Sequence, residues 1–321
     1  MADLVTLADL RAASERIRPF ARVTPLLEVP WPREAAAGAG PLLLKCENLQ
    51  PMGAFKIRGA VNMLRQLPAG TIARGVITYS SGNHGQAVAM AARELGVPAV
   101  IVMPTTAPLV KVEGARGYGA EVIFEGTTSA HRKTRAEALA GERGLTIVPP
   151  FDHPWIIAGQ GTAGLEILEQ DPGVETVFVE VGGGGLLAGV ATAIKRQRPG
   201  ARVVGVEPEG APKMSRSLAA GHPVTLESTA SVADGLLPVR PGDLTFAHAQ
   251  AYVDEVVTVP DEAIAAGVRW IFRHARLVAE PSGAATVAAL ALGLGSPRGR
   301  TAAIVSGGNV APELFARILA G

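Results

Sequence analysis

Val76-Ile77-Thr78-Tyr79-Ser80-Ser81-Gly82-Asn83-His84-Gly85-Gln86-Ala87-Val88 decides the fold class. The first four residues favour a strand, the next six form a small polar loop, and residues 86–95 carry helical periodicity. The same grammar continues outward. Strands are predicted at 99–103 and 121–124, with helices at 111–118 and 131–140. After Pro149-Pro150 it restarts, with a helix at 157–169, a strand at 176–181, a loop at 182–185 and a helix at 186–197. A strand at 202–207, helices at 261–276 and 283–294, a strand at 302–305 and a last helix from Pro312 complete it. Upstream, residues 4–17 read as an amphipathic helix, Thr24-Pro25-Leu26-Leu27 as a loop or edge strand, 42–45 as a strand and 55–64 as a helix. Strands alternating with helices predict an α/β protein with parallel sheets covered on both faces. Residues 208–243, rich in Gly, Pro and Asp, read as a long irregular excursion, which in a compact domain is often functional.

The composition narrows the function. The chain has 321 residues, enough for two domains, and its 48% hydrophobic content excludes a disordered chain. Lysine plus arginine number 30 against 29 acidic residues, a net charge of +1 that argues against nucleic acid or an anionic membrane as a partner. No apolar run reaches the roughly 20 residues of a membrane span, and the N-terminus lacks the pattern of a secretory signal, so a soluble, cytoplasmic protein is expected. Cys46 is the single cysteine, which rules out an intramolecular disulfide. The histidines at 84, 131, 153, 222, 248 and 274 show no i, i+3 or i, i+4 pairing, so no helical metal pair is expected.

Three loops share one design of strand, small polar loop and helix: 80–85, Gly182-Gly183-Gly184-Gly185, and Ser306-Gly307-Gly308-Asn309. At the carboxyl ends of parallel strands such loops are where ligands bind. One glycine would serve a tight turn; four in a row favour a phosphate cup. A dinucleotide reading competes, because Gly183-x-Gly185-x-x-Ala188 fits G-x-G-x-x-A and Glu207 ends the next strand. Lys56 is one of only six lysines and lies between Phe55 and Ile57, at a predicted helix start. Apolar neighbours and a helix N-terminus both disfavour its ammonium form, so its pKa is expected to fall. A neutral amine is what Schiff-base chemistry requires; the blander reading is a surface lysine lying along its own stem. The 80–85 loop concentrates donors suited to a carboxylate, or serves only as a polar helix cap.

Taken in order, Lys45-Cys46-Glu47-Asn48-Leu49-Gln50-Pro51-Met52-Gly53-Ala54-Phe55-Lys56-Ile57-Arg58-Gly59-Ala60, Ser80-Ser81-Gly82-Asn83-His84-Gly85, Ile157-Ala158-Gly159-Gln160-Gly161-Thr162, the 182–185 glycines and Ser306-Gly307-Gly308-Asn309 resemble the serine/threonine dehydratase and serine racemase family. These are pyridoxal-phosphate enzymes of the tryptophan-synthase-β fold type. The resemblance runs from Thr24 to about Val310. It implies two three-layer αβα domains with open, mostly parallel twisted sheets and the cofactor in the cleft between them. Residues 1–75 plus 148–321 would form the large domain and 76–147 the small one. It implies that Lys56 holds pyridoxal 5'-phosphate covalently, Phe55 packs on its ring, and Gly182, Gly183, Gly184 and Gly185 bind its phosphate. Asn83 would bond the ring hydroxyl oxygen and Ser306 the ring nitrogen, with Gly235 and Glu280 lining the cofactor. Ser80, Ser81, Asn83 and His84 would bind the substrate carboxylate.

By resemblance, then, the expected activity is an ammonia-lyase (dehydratase) that turns L-threonine or L-serine into 2-oxobutyrate or pyruvate plus ammonia by β-elimination. Lys56 would act as general base. Serine racemase and 3-hydroxyaspartate dehydratase are the alternatives, because Ser81 is placed to be the acid on the face opposite Lys56. A nicotinamide-dependent oxidoreductase and a non-catalytic amino-acid sensor are more distant ones. Three departures stand out. Ala54 replaces a usual serine. Lys213 stands where some members place an Asp of a divalent-cation site with Glu207 and Ala211, so no metal is expected. Only 12 residues follow Asn309, so no appended regulatory domain is expected. The resemblance also suggests a homodimer.

Overall fold

A computed structural model of the chain describes residues 3–34, 39–80, 82–107 and 109–321. Two sheets carry the fold. The larger contains β1 (Leu26–Val29), β2 (Ala39–Lys45), β7 (Val174–Glu180), β8 (Arg202–Pro208), β9 (Glu255–Val259) and β10 (Gly299–Ile304), in the order β1-β2-β10-β7-β8-β9. All its pairings are parallel except β1 on β2, an antiparallel edge. The smaller sheet contains β3 (Val76–Thr78), β4 (Ala99–Met103), β5 (Glu121–Phe124) and β6 (Thr146–Ile147), parallel throughout, in the order β5-β4-β3-β6.

The helices are α1 (Leu7–Ile17), α2 (Lys56–Leu64), α3 (Ala69–Ile72), α4 (Asn83–Leu95), α5 (Leu109–Gly117), α6 (Ser129–Arg143), α7 (Pro154–Gln170), α8 (Gly185–Gln197), α9 (Lys213–Ala220), α10 (Asp243–Tyr252), α11 (Asp261–Ala275), α12 (Pro281–Leu292) and α13 (Pro312–Ala320). Side chains alternate across each strand, so each sheet buries two faces. In the larger sheet Phe178, Val204 and Val206 pack against Ile264, Val268, Ala284 and Val287 of α11 and α12. Val177, Val179 and Val203 pack the other way, with Ala163, Ile167, Leu187 and Val190 of α7 and α8. In the smaller sheet Val76 and Ile101 share a core with α2 and α4, while Ile77, Val100 and Val102 face Ala136 and Leu139 of α6. Each buried Val, Leu, Ile or Phe among them contributes about 1.5–3 kcal/mol, and each alanine less. These are two αβα layerings, the class expected from the alternating sequence.

Two close helix crossings bring the chemistry together. A Cβ on Gly159 of α7 would lie 2.6 Å from the Gly59 Cα of α2. A Cβ on Gly161 would lie 2.7 Å from the Gly189 carbonyl oxygen of α8. Only glycine permits backbones this near. Helix α7 therefore clamps α2, which begins at Lys56, beside α8, which begins at the glycine loop. Under α2 lies a sealed charge cluster. Arg58 donates to Glu47 at 2.7 and 2.8 Å and to Glu166 at 2.7 and 2.8 Å, and Lys45 donates to Glu166 at 2.6 Å. All four residues are buried. Such a pair is worth little against an apolar replacement, but removing one partner costs about 3–5 kcal/mol.

Several boundaries differ from the sequence expectation. Helix α4 begins at Asn83, so Asn83, His84 and Gly85 belong to its first turn rather than to a loop. Gly185 likewise opens α8. The 208–243 excursion contains α9, and α10 and β9 follow it.

Candidate active site

The loops at the carboxyl ends of β7, β10 and β3 converge on the start of α2. The Phe55 N–H donates to the Ser306 carbonyl at 3.0 Å, the Gly308 N–H to the Gly53 carbonyl at 2.9 Å, and Ala54 bridges Gly307. The segment preceding Lys56 is thus stitched to the 306–309 loop. Lys56 is the first residue of α2 and half-buried. Its Nζ donates to the Pro150 carbonyl at 2.8 Å and lies 5.1 Å from the centre of the Phe55 ring. Burial around the amine pushes its pKa down to about 8.

Pro150 leads directly to the glycine loop. A Cβ on Gly183 would lie 2.3 Å from the Phe151 ring, and one on Gly185 3.1 Å from the Phe151 Cβ. Gly184 has φ +99°, a left-handed conformation that suits glycine, and caps α8 without a side chain. The first N–H groups of α8 therefore have no intrahelical acceptor and no side-chain cap, which is the arrangement that binds a phosphate. The loop is held from outside. Thr245 Oγ1 donates to the Gly183 carbonyl at 2.7 Å, and the Gly242 N–H donates to the same oxygen at 3.2 Å. Asp152 caps α10 by accepting from the N–H groups of Asp243, Leu244 and Thr245 at 3.0, 3.0 and 3.1 Å. Sequence reasoning missed Asp152 and Thr245 as supports of this loop, because their partners lie far along the chain.

On the opposite side Asn83 donates through Nδ2 to Glu280 Oε1 at 2.6 Å and accepts from Asn309 Nδ2 at 2.8 Å. Burial, reinforced by the Asp234 charge, raises the Glu280 pKa to about 8, while the bond from Asn83 and the Lys111 charge act the other way. The Gly235 N–H donates to Ser282 Oγ at 2.9 Å, and a Cβ on Gly182 would lie 3.0 Å from the Gly235 carbonyl. Ser80 Oγ accepts the Gly82 N–H at 3.3 Å. Ser81 lies outside the described residues. His84 is buried, and its Nε2 donates to the Val148 carbonyl at 3.0 Å. That fixes Nδ1 as an acceptor, and Nδ1 has no partner. Burial, with the Lys56 charge adding to it, pushes the His84 pKa down to about 3, so the ring is neutral. A lone pair repels a carboxylate; what His84 can offer one is its main-chain N–H in the first turn of α4, where Gly82 supplies no side-chain cap.

At the expected cation position, Lys213 Nζ donates to the carbonyls of Val181, Ala211 and Leu236 at 2.7, 3.1 and 2.9 Å and lies 3.1 Å from Glu207 Oε1. The same oxygen accepts from the Met214 N–H at 2.8 Å, and Oε2 accepts from the Ser215 N–H and hydroxyl, both at 3.0 Å. Glu207 is thereby buried among its own neighbours, and it does not stand free as a ribose acceptor for a dinucleotide. Among the described residues no group of three or more His, Cys, Asp or Glu is arranged to hold a metal ion.

A half-buried amine of lowered pKa, an uncapped glycine helix start, and a polar wall facing both define a site for an aldehyde-bearing, phosphorylated cofactor. The residues fit pyridoxal phosphate. A sequence profile of the pyridoxal-phosphate dependent enzymes matches residues 17–307, and the chain belongs to that family. The L-threonine ammonia-lyase of Thermotoga maritima is 42% identical over 316 residues, covering 98% of this chain and 78% of that protein. The biosynthetic L-threonine dehydratase IlvA of Escherichia coli is 46% identical over 272 residues, 84% of this chain, which spans about half (53%) of that relative's length. Among solved structures, maize serine racemase superposes with a TM-score of 0.93 at 38% identity, covering 98% of this chain and 97% of that one. No described helix is long and apolar enough to cross a membrane.

Proposed function

We propose that this chain is a pyridoxal-phosphate-dependent ammonia-lyase acting on L-threonine and L-serine. The net reaction breaks the Cα–H and Cβ–O bonds, releases water, then adds water at Cα and expels ammonia, leaving 2-oxobutyrate or pyruvate. When bound, the cofactor supplies an electron sink for charge developing at Cα. The chain's own residues supply the rest. Lys56 holds the cofactor and, when free, takes the Cα proton at Nζ, a task suited to an amine whose pKa of about 8 lies near working pH. The N–H groups of Gly182, Gly183, Gly184 and Gly185 hold the phosphate, and Phe55 flanks the ring. Asn83, kept in orientation by Glu280 and Asn309, serves the ring oxygen; Ser306 serves the ring nitrogen; Gly235 completes the wall. The substrate carboxylate is held by Ser80, Ser81, Asn83 and the main-chain N–H of His84.

The observation that carries this reading is the link from the Lys56 amine through Pro150 and Phe151 to the uncapped glycine loop. The purified protein is expected to be yellow, and borohydride reduction to place the label on Lys56. Keto acid should form from L-threonine and L-serine. A colourless protein that cannot be reconstituted with the vitamer would overturn the reading.

The similarity to maize serine racemase supports a second reading, in which Ser81 is the acid on the opposite face and serine is racemised. Measuring D-serine and keto acid together, in wild type and Ser81→Ala, separates the two. Racemisation that survives in Ser81→Ala removes that role from Ser81. We also read the protein as a cytoplasmic homodimer. Sedimentation at the mass of one chain, or recovery outside the cytoplasmic fraction, would refute the corresponding half.

A further inference from the structure

Lys213 opens α9, and its side chain is fully buried. An ammonium has three donors and no acceptor, and here all three go to main-chain carbonyls, of Val181, Ala211 and Leu236. Glu207 lies beside it as the counter-charge and takes hydrogen bonds from Met214 and Ser215 as well. A plain buried ion pair would need the carboxylate alone. Two of the carbonyls lead straight to the cofactor wall. Val181 precedes Gly182, and Leu236 follows Gly235. A Cβ on Gly182 would lie 3.0 Å from the Gly235 carbonyl oxygen and 3.9 Å from the Leu236 Cα, so the two segments are in contact. The residue after Lys213 reaches the loop itself: a Cβ on Gly184 would lie 2.9 Å from the Met214 Cε. One ammonium fixes the entry to the glycine loop, the segment the loop leans on, and the side chain beneath its middle.

The loop needs a support of this kind. Four successive glycines have no side chains to restrain them and wide backbone freedom. Their N–H groups bind a phosphate well only if they already converge before it arrives. The oxygens around Lys213 Nζ leave no place for an ion from solution, because the ammonium occupies their centre. A guanidinium, a planar fork of five donors, does not match oxygens gathered on one point. From this arrangement we propose that Lys213 is a positioning residue for the cofactor phosphate, a resident cation that pre-organises the glycine loop. The proposal rests on the phosphate role given to Gly182, Gly183, Gly184 and Gly185 under Proposed function.

Titration of the apoprotein with vitamers tests it. Pyridoxal phosphate uses the Lys56 amine and the loop; pyridoxal, without the phosphate, uses the amine alone. Lys213→Ala should weaken binding of pyridoxal phosphate by about ten- to a hundredfold, as for the loss of one hydrogen bond to a charged group. It should leave the binding of pyridoxal unchanged. Pyridoxine phosphate carries an alcohol in place of the aldehyde and does not react with an added amine. Ethylammonium should restore its affinity for the variant in a saturable way and leave wild type unaffected. A folded Lys213→Ala protein that binds pyridoxal phosphate as tightly as wild type overturns the proposal. So does one that loses pyridoxal equally, or that ethylammonium does not restore. If circular dichroism shows Lys213→Ala unfolded, Glu207→Gln combined with Lys213→Met removes both buried charges together and leaves neither unpaired. That double variant should show the same selective loss, and wild-type affinity in it overturns the proposal. If wild type itself binds pyridoxal phosphate no better than pyridoxal, the phosphate role of the glycine loop fails first, and the proposal with it.

Discussion

Lys213 Nζ sits 3.1 Å from Glu207 Oε1, inside a shell of three main-chain carbonyl oxygens. Carbonyl and carboxylate oxygens are the ligand type a bound hard cation takes. Here the cation is covalently part of the chain, and both residues are fully buried. Two of its carbonyl partners, Val181 and Leu236, adjoin Gly182 and Gly235. The ammonium therefore ties the glycine loop to the opposite wall.

Chelators and added Mg²⁺ or Ca²⁺ are accordingly expected to change neither keto-acid production nor the melting temperature. Lys213→Met should leave Glu207 as an uncompensated buried charge and destabilise the fold by about 3–5 kcal/mol. Chemical denaturation measures the loss. Activation of the wild-type protein by a divalent cation would contradict the reading.

Lys56 has a second measurable consequence. Only the neutral amine attacks an aldehyde. Since its pKa is lowered from 10.5 to about 8, the rate at which apoprotein captures the cofactor should rise with pH and level off above about 8. Stopped-flow absorbance follows the capture. Lys56→Ala should abolish covalent capture and reduce turnover by at least about 10²–10⁴-fold. A capture rate that keeps rising to about pH 10 would place the amine in an ordinary solvated setting.

Gly183→Ala tests the loop. The added methyl would lie 2.3 Å from the Phe151 ring, so the ring or the loop must move. The expected penalty is about 1–3 kcal/mol, read both in apoprotein stability and in a weaker cofactor dissociation constant. Gly183→Ala combined with Phe151→Ala should recover part of the binding, because the clash is with that ring.

Glu280 supplies a pH test of stability. Its folded pKa, about 8, lies above the 4.5 of the unfolded chain. Between those values the unfolded state binds fewer protons, so this group's contribution falls as pH rises from about 4.5 to about 8 and is constant beyond. Glu280→Gln keeps the acceptor for Asn83 and removes the titration. The melting temperature of the variant apoprotein should gain on wild type across that window and hold its lead above it.

The layered architecture was legible because strand and helix periods alternate so regularly from Val76 onward. Lys56, the four glycines and Ser306 were legible because lysine is scarce here and runs of glycine are rare. What escaped was anchored through space. Helix α9 begins after Pro212, which offers no side-chain cap; its first N–H groups are met by Glu207, from the strand before it. Helix α10 is capped by Asp152, about ninety residues upstream. Helix α4 starts three residues earlier than its apolar pattern because Gly82, Asn83 and His84 are poor periodic markers. The ring orientation of His84 depends on the Val148 carbonyl, which no local pattern reveals.

The Arg58, Glu47, Glu166 and Lys45 cluster beneath α2 has a consequence for ionic strength. Its two cations and two anions cancel, and all four are buried, Glu166 alone keeping a sliver of exposure. Dissolved ions screen exposed pairs such as Arg18 with Glu15, but they do not enter a sealed group. The platform carrying the reactive amine should hold its shape in brine as well as in dilute buffer, so that any salt sensitivity of the protein originates on its periphery.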